Sequence, residues 1–107
     1  MAKAENEIQK VCLEYLLKQG IFAWRQNNNS IFDARLNGYR SHTGLKGVPD
    51  ILAVINGTMV GFECKTKTGK QSPDQLLFQK RLERNGGRYY IVRCLEDVKQ
   101  AVTEGDE

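Results

Sequence analysis

Histidine and cysteine are scarce in these 107 residues. His42 is the single histidine, and Cys12, Cys64 and Cys94 are the only cysteines, with no Cys-x-x-Cys pair. That pattern argues against a zinc site. An odd, widely spaced set also argues against a disulfide framework. The expectation is three reduced, buried thiols with no disulfide partner. Long apolar runs are missing as well. None approaches the roughly 20 residues that span a bilayer, and the opening MAKAENEIQK lacks the apolar stretch of a secretory leader. We therefore expect a cytoplasmic chain with no membrane partner. Charge of one sign is not extreme. The formal net charge is +3, compatible with a polyanionic partner without requiring one.

What is present suits a single α/β domain over residues 1–107, with 103–107 (TEGDE) as a frayed acidic tail. The apolar share is 40%, enough to build a core without staples. Residues 5–19 carry Ile8, Val11, Cys12, Tyr15 and Leu16 at helical spacing, and Gly20 follows as a stop. IFAWRQ (21–26) reads as a strand. Residues 27–46 are punctuated by Asn, Ser and Gly, with a short hairpin expected around Asn37-Gly38. DILAVI (50–55) and MVGFECKT (59–66) flank Asn56-Gly57, a strong hairpin signal. The first of these strands is apolar on both faces, as in a central strand. The second alternates, with Val60, Phe62 and Cys64 on one face and Gly61, Glu63 and Lys65 on the other. Ser72-Pro73-Asp74-Gln75 spells a capping box with proline at the first helical position. That helix runs to about Asn85, before Gly86-Gly87. A strand (88–94) and a short helix (95–102) close an α-β-β-β-α-β-α order, with helices flanking a mixed sheet.

The chemistry gathers in the hairpin. Pairing about Asn56-Gly57 sets Asp50 near Glu63, and Lys65 shares the Glu63 face. Two carboxylates that close repel unless a cation lies between them. Oxygen ligands alone favour a hard ion, Mg²⁺ or Mn²⁺. Lys65 could hold an attacking water or stabilise charge developing on a phosphate. The same residues also read as a surface ion pair beside a turn-capping acid.

Gly47-Val48-Pro49-Asp50 followed by Glu63-Cys64-Lys65 resembles the PD-(D/E)xK signature of metal-dependent nucleases. The later SPDQLLFQKRLERNGGRYYIVRCLEDV (72–98), the early ENEIQ and Trp24-Arg25-Gln26-Asn27 resemble the VRR-NUC family. The likeness covers nearly the whole chain and is weakest over 28–45. It implies a restriction-endonuclease-like core, with Asp50 and Glu63 as metal ligands and the Cys64 backbone carbonyl as a further one. It implies Lys65 as the catalytic lysine and Gln75 as a glutamine near the active site, where it could also serve its capping box. An acid of the first helix usually joins such sites. Glu5 lies roughly 50° from the centre of the apolar stripe and Glu7 roughly 110°, and the family pattern also favours Glu5. Both acids suit a helix N-terminus in any case.

The resemblance further implies a DNA endonuclease. Stand-alone members of the family form homodimers that cut branched DNA such as four-way (Holliday) junctions, in repair and recombination. Arg25, Arg40, Lys46, Lys67 and Lys70 flank the site in sequence and are candidate phosphate contacts. Each is also an ordinary solvated charge. His42 is a weak candidate base, and Trp24, Tyr89 and Tyr90 read as core. Two rival readings are a nucleic-acid-binding module with a degenerate site and a nuclease of flap or linear DNA. A third is a non-catalytic interaction domain.

Overall fold

The computed structural model describes residues 2–26, 31–33, 38–40 and 45–105, and only the backbone at 2–4, 31–33, 38–40 and 105. Its elements are α1 (Ala2–Lys18), β1 (Phe22–Arg25), β2 (Ile31–Asp33), β3 (Gly38–Arg40), β4 (Ile51–Ile55), β5 (Thr58–Cys64), α2 (Pro73–Arg84), β6 (Arg88–Val92) and α3 (Leu95–Gly105). Four strands form one mixed sheet in the order β1-β4-β5-β6, and β2-β3 pair separately.

The hairpin of β4 and β5 organises the rest. Asn56 and Gly57 both adopt positive φ, 50° and 81°, the backbone of a two-residue turn that matches strand twist. The register follows: Ile55 pairs with Thr58 and Ile51 with Phe62. β1 adds antiparallel to β4, with Trp24 opposite Leu52. β6 adds parallel to β5, with Gly61 beside Tyr89 and Glu63 beside Ile91. A parallel partner needs a crossover, and α2 supplies it.

One face of the sheet closes on α1 and α3. Ile51, Ala53, Ile55, Val60, Phe62, Cys64 and Val92 meet Cys12 and Leu16 of α1 and Val98, Ala101 and Val102 of α3. The other face carries α2 over β5 and β6. There Gly61 is required by close approach: a Cβ would stand 2.6 Å from Pro49 Cγ. Leu82 of α2 packs near the same glycine.

Several expectations change. β5, not β4, is the strand buried on both faces, from Val60 through Cys64. Both strands lie between two partners, but Pro49 and Leu82 cover the second face of β5 at Gly61, whereas β4 leaves Val54 exposed. Val11 is 40% exposed, so the α1 stripe turns toward Leu13 instead. Cys12 and Cys64 are buried free thiols, but Cys94 is exposed, because β6 ends at Val92 and the chain has already left the sheet. α3 continues to Gly105, past the expected start of the tail, and Glu104 accepts the Tyr90 hydroxyl at 3.0 Å. Gly38 pairs with Asp33 within the β2–β3 ladder rather than lying in its turn. Asn37 and His42 lie outside the described residues. Among the described residues no helix is long and apolar enough to cross a membrane.

Candidate active site

The Gly47–Asp50 turn is built to meet α2. Gly47 has φ 77°, and a Cβ on it would collide with the Asp74 carbonyl. Only glycine allows this approach. The turn then delivers Asp50 to the start of β4, one residue before the Ile51–Phe62 pair, where its charge acts on Glu63. Asp50 Oδ2 accepts the Cys64 N–H at 2.8 Å.

Glu63 is 3% exposed, the one buried charged side chain among the described residues. Its Oε2 accepts Gln75 Nε2 at 3.0 Å and lies 3.5 Å from Lys65 Nζ. Its Oε1 is buried with no hydrogen-bond partner. Burial raises the carboxyl of Glu63 to about 8, and the Asp50 charge pushes the same way against the Lys65 ammonium. Burial likewise lifts Asp50 above the usual carboxylate range, opposed by the Cys64 N–H. The charge of Glu5 adds a smaller push on Asp50. The first turn of α1 therefore brings Glu5 within electrostatic reach of Asp50, while Glu7 is exposed.

Gln75 does two things at once. Its Oε1 accepts the Ser72 N–H at 2.8 Å, while the Ser72 hydroxyl accepts the Gln75 N–H at 3.2 Å. This is the reciprocal capping box expected of Ser-x-x-Gln. The amide nitrogen left over is the one that donates to Glu63. The basic candidates do not converge as closely. Arg25, Lys46, Lys67 and Lys70 are all exposed. Lys46 lines a cleft of about 340 Å³ with Asp74, Leu77, Phe78 and Arg81. The side chain of Arg40 lies outside the described residues.

Two residues that sequence reasoning does not assign to the site reach its edge. Tyr89 reads as core from the sequence, and it is buried. Its hydroxyl is enclosed beside Gln71, it faces the Glu63 side of the sheet, and burial pushes it up to about 12. Arg93 donates to the carbonyls of Thr66 and Gly69 in the loop after Lys65. Nothing local in IVRCLEDV signals that contact, since its partners lie more than twenty positions earlier.

The donor set can be tested against a hard cation. Among the described residues no group of three or more His, Cys, Asp or Glu is gathered to hold a metal ion. Mg²⁺, however, is commonly held by one or two carboxylates with water completing its shell. Asp50 and Glu63 could supply that pair, all oxygen, with Glu63 Oε1 left over by Gln75 and Lys65. A buried carboxyl beside a half-buried one, both lifted in pKa, are the groups a cation would relieve.

A solved structure described as a "VRR_NUC domain" aligns with this chain at TM-score 0.66 and 22% identity, over 94% of this chain and 95% of that one. This is the VRR-NUC fold. No family model and no curated protein matches the sequence. Within the VRR-NUC fold of this chain, the hairpin of β4 and β5 and the head of α2 bring Asp50, Glu63, Lys65 and Gln75 together.

Proposed function

We propose that the protein is a metal-dependent endodeoxyribonuclease that hydrolyses phosphodiester bonds in branched DNA, including four-way junctions. One observation carries the reading. Glu63 is buried with one oxygen held by Gln75 and Lys65, the other left over by them, and Asp50 near it. A structural ion pair gains nothing from a second, half-buried acid beside it. A metal site uses one.

Asp50 and Glu63, with the Cys64 carbonyl and Glu5, would hold Mg²⁺ or Mn²⁺. Such an ion, when bound, polarises a phosphoryl oxygen and lowers the pKa of a bound water. Gln75 fixes the rotation of the Glu63 carboxylate from the rigid head of α2. The Lys65 ammonium, already beside Glu63, would orient the attacking water or meet charge building on the phosphate. Lys67 and Lys70 follow on the same loop, and with Arg25, Arg40 and Lys46 would hold the DNA backbone without reading bases. A domain of this size offers one site. Paired nicks on opposite strands need two sites related by symmetry, which favours a homodimer. We place this activity in the cytoplasm of a bacterial host.

The test is cleavage of a labelled four-way junction beside matched linear duplex and single strand, with Mg²⁺, Mn²⁺ or EDTA. Paired nicks near the branch point are expected with either metal and not with EDTA. Glu63→Ala and Lys65→Ala should each lower the rate by roughly 10²-fold or more. Cleavage of linear or flapped DNA alone would keep the chemistry and remove the junction preference. Binding of the junction without cleavage under any condition would leave a binding module.

A further inference from the structure

Lys65 is held from a direction that neither the metal ligands nor Gln75 supplies. Its N–H donates to the Val92 carbonyl at 3.1 Å, carrying the β5–β6 ladder one residue past Cys64. The chain then turns, and the Gly69 N–H closes back on the Thr66 carbonyl at 3.1 Å. Arg93 stands just beyond β6. Its Nη1 donates to the Thr66 carbonyl and, at 2.9 Å, to the Gly69 carbonyl. The backbone of Arg93 is itself anchored, its N–H donating to Asp97 Oδ2 of α3 at 2.8 Å. The turn thus clamped lies against the lysine stem. A Cβ on Gly69 would stand 3.3 Å from both Cβ and Cδ of Lys65. The Lys65 side chain is accordingly only 13% exposed, although the loop that follows it is open to solvent.

We propose that Arg93 is a positioning residue, which presses the 66–69 turn onto the Lys65 stem and so aims the ammonium at Glu63. A planar guanidinium has donors in a fixed fork. It can hold two carbonyls in one geometry, whereas a lysine there would hold them as a mobile point charge. Gly69 is the second half of the device, since a Cβ there would press on the stem, which would have to give by a few tenths of an ångström. The consequence for turnover rests on the nuclease reading. The consequence for the placement of Lys65 does not.

Two measurements separate these claims. The first uses metal-free protein and an amine-reactive ester, with labelled peptides quantified by mass spectrometry. Arg93→Met keeps the stem and removes the donors. It should raise labelling of Lys65 several-fold relative to exposed Lys80, and Arg93→Lys should restore part of the protection. Gly69→Ala should also raise Lys65 labelling with Arg93 intact, so the test survives if Arg93→Met does not fold. Unchanged Lys65 labelling in folded Arg93→Met, or in Gly69→Ala where that variant alone folds, overturns the proposal. The second measurement is junction cleavage with metal. Arg93→Met and Gly69→Ala should lower kcat about tenfold to a hundredfold while leaving KM unchanged. A rise in KM with kcat intact would make Arg93 a substrate contact and overturn positioning. If the wild-type protein cuts no DNA, the nuclease reading fails while the labelling result still decides the placement of Lys65.

Discussion

The two faces of the central sheet are built to different rules. On the α1/α3 side Ile51, Ala53 and Ile55 of β4 and Val60, Phe62 and Cys64 of β5 are apolar and buried. On the α2 side the same strands carry Glu63 and Lys65 at one end and leave Val54 and Met59 open at the other. Phe22, opposite Val54, is 70% exposed and rests on Trp24 with ring centroids 5.1 Å apart. α2 has no buried residue of its own. The first face supplies stability. The second gives up stability where Glu63 is buried, and that is where the proposed chemistry lies. A site assembled on β5 is held rigid because the reverse side of that strand is the core.

The largest way to sharpen this contrast is through pH. In the folded chain Glu63 takes up a proton at about 8, against 4.5 ordinarily. Between those values the folded state binds more protons than the unfolded one, so stability without metal falls as pH rises. The contribution is whole below 4.5 and lost above about 8. A tenfold change in proton affinity is worth about 1.4 kcal/mol, so the drop should reach a few kcal/mol in chemical denaturation at stepped pH. Glu63→Gln should flatten it, and Mg²⁺ at pH 8 should restore stability to the wild-type chain. A flat wild-type profile would remove the idea that this face is strained by its acids.

Gly61→Ala is next. Its Cβ would meet Pro49, so over-packing should cost about 1–3 kcal/mol and shift Asp50 with the turn. A melting temperature equal to wild type would mean that the Pro49 turn is not pinned to β5. Phe22→Ser is the smallest. An exposed substitution on the open face should stay within about 0.5 kcal/mol by the same denaturation assay. A loss several times larger would show that this face, too, is covered in solution.

The legibility of the molecule from its sequence follows the range of the forces involved. Asn56-Gly57 sets the register of its own hairpin, and the two-residue period of strands then places Asp50 near Glu63 without further information. Ser72 to Gln75 is equally local, and its capping box forms as spelled. The parallel pairing of β5 with β6 is not legible, because it is made through a crossover and leaves no turn signal. DILAVI does form a central strand, but Pro49 and Leu82 cover the second face of β5 rather than of β4, and Gly61 and Glu63 hide that from the sequence. The exposure of Cys94 and the reach of Arg93 to Thr66 are hidden for the same reason. Both depend on where β6 ends relative to a loop far earlier in the chain.

The carboxamide of Gln75 has one further implication. A capping box is degenerate: at its third position glutamate and glutamine serve the helix equally, since either offers an oxygen to the cap N–H. Glu63 breaks that degeneracy. It needs a proton donor facing it, and of the two synonymous side chains only the amide has one. Helix grammar writes the oxygen of residue 75 and leaves the other atom blank, and the buried acid across the gap fills the blank with nitrogen.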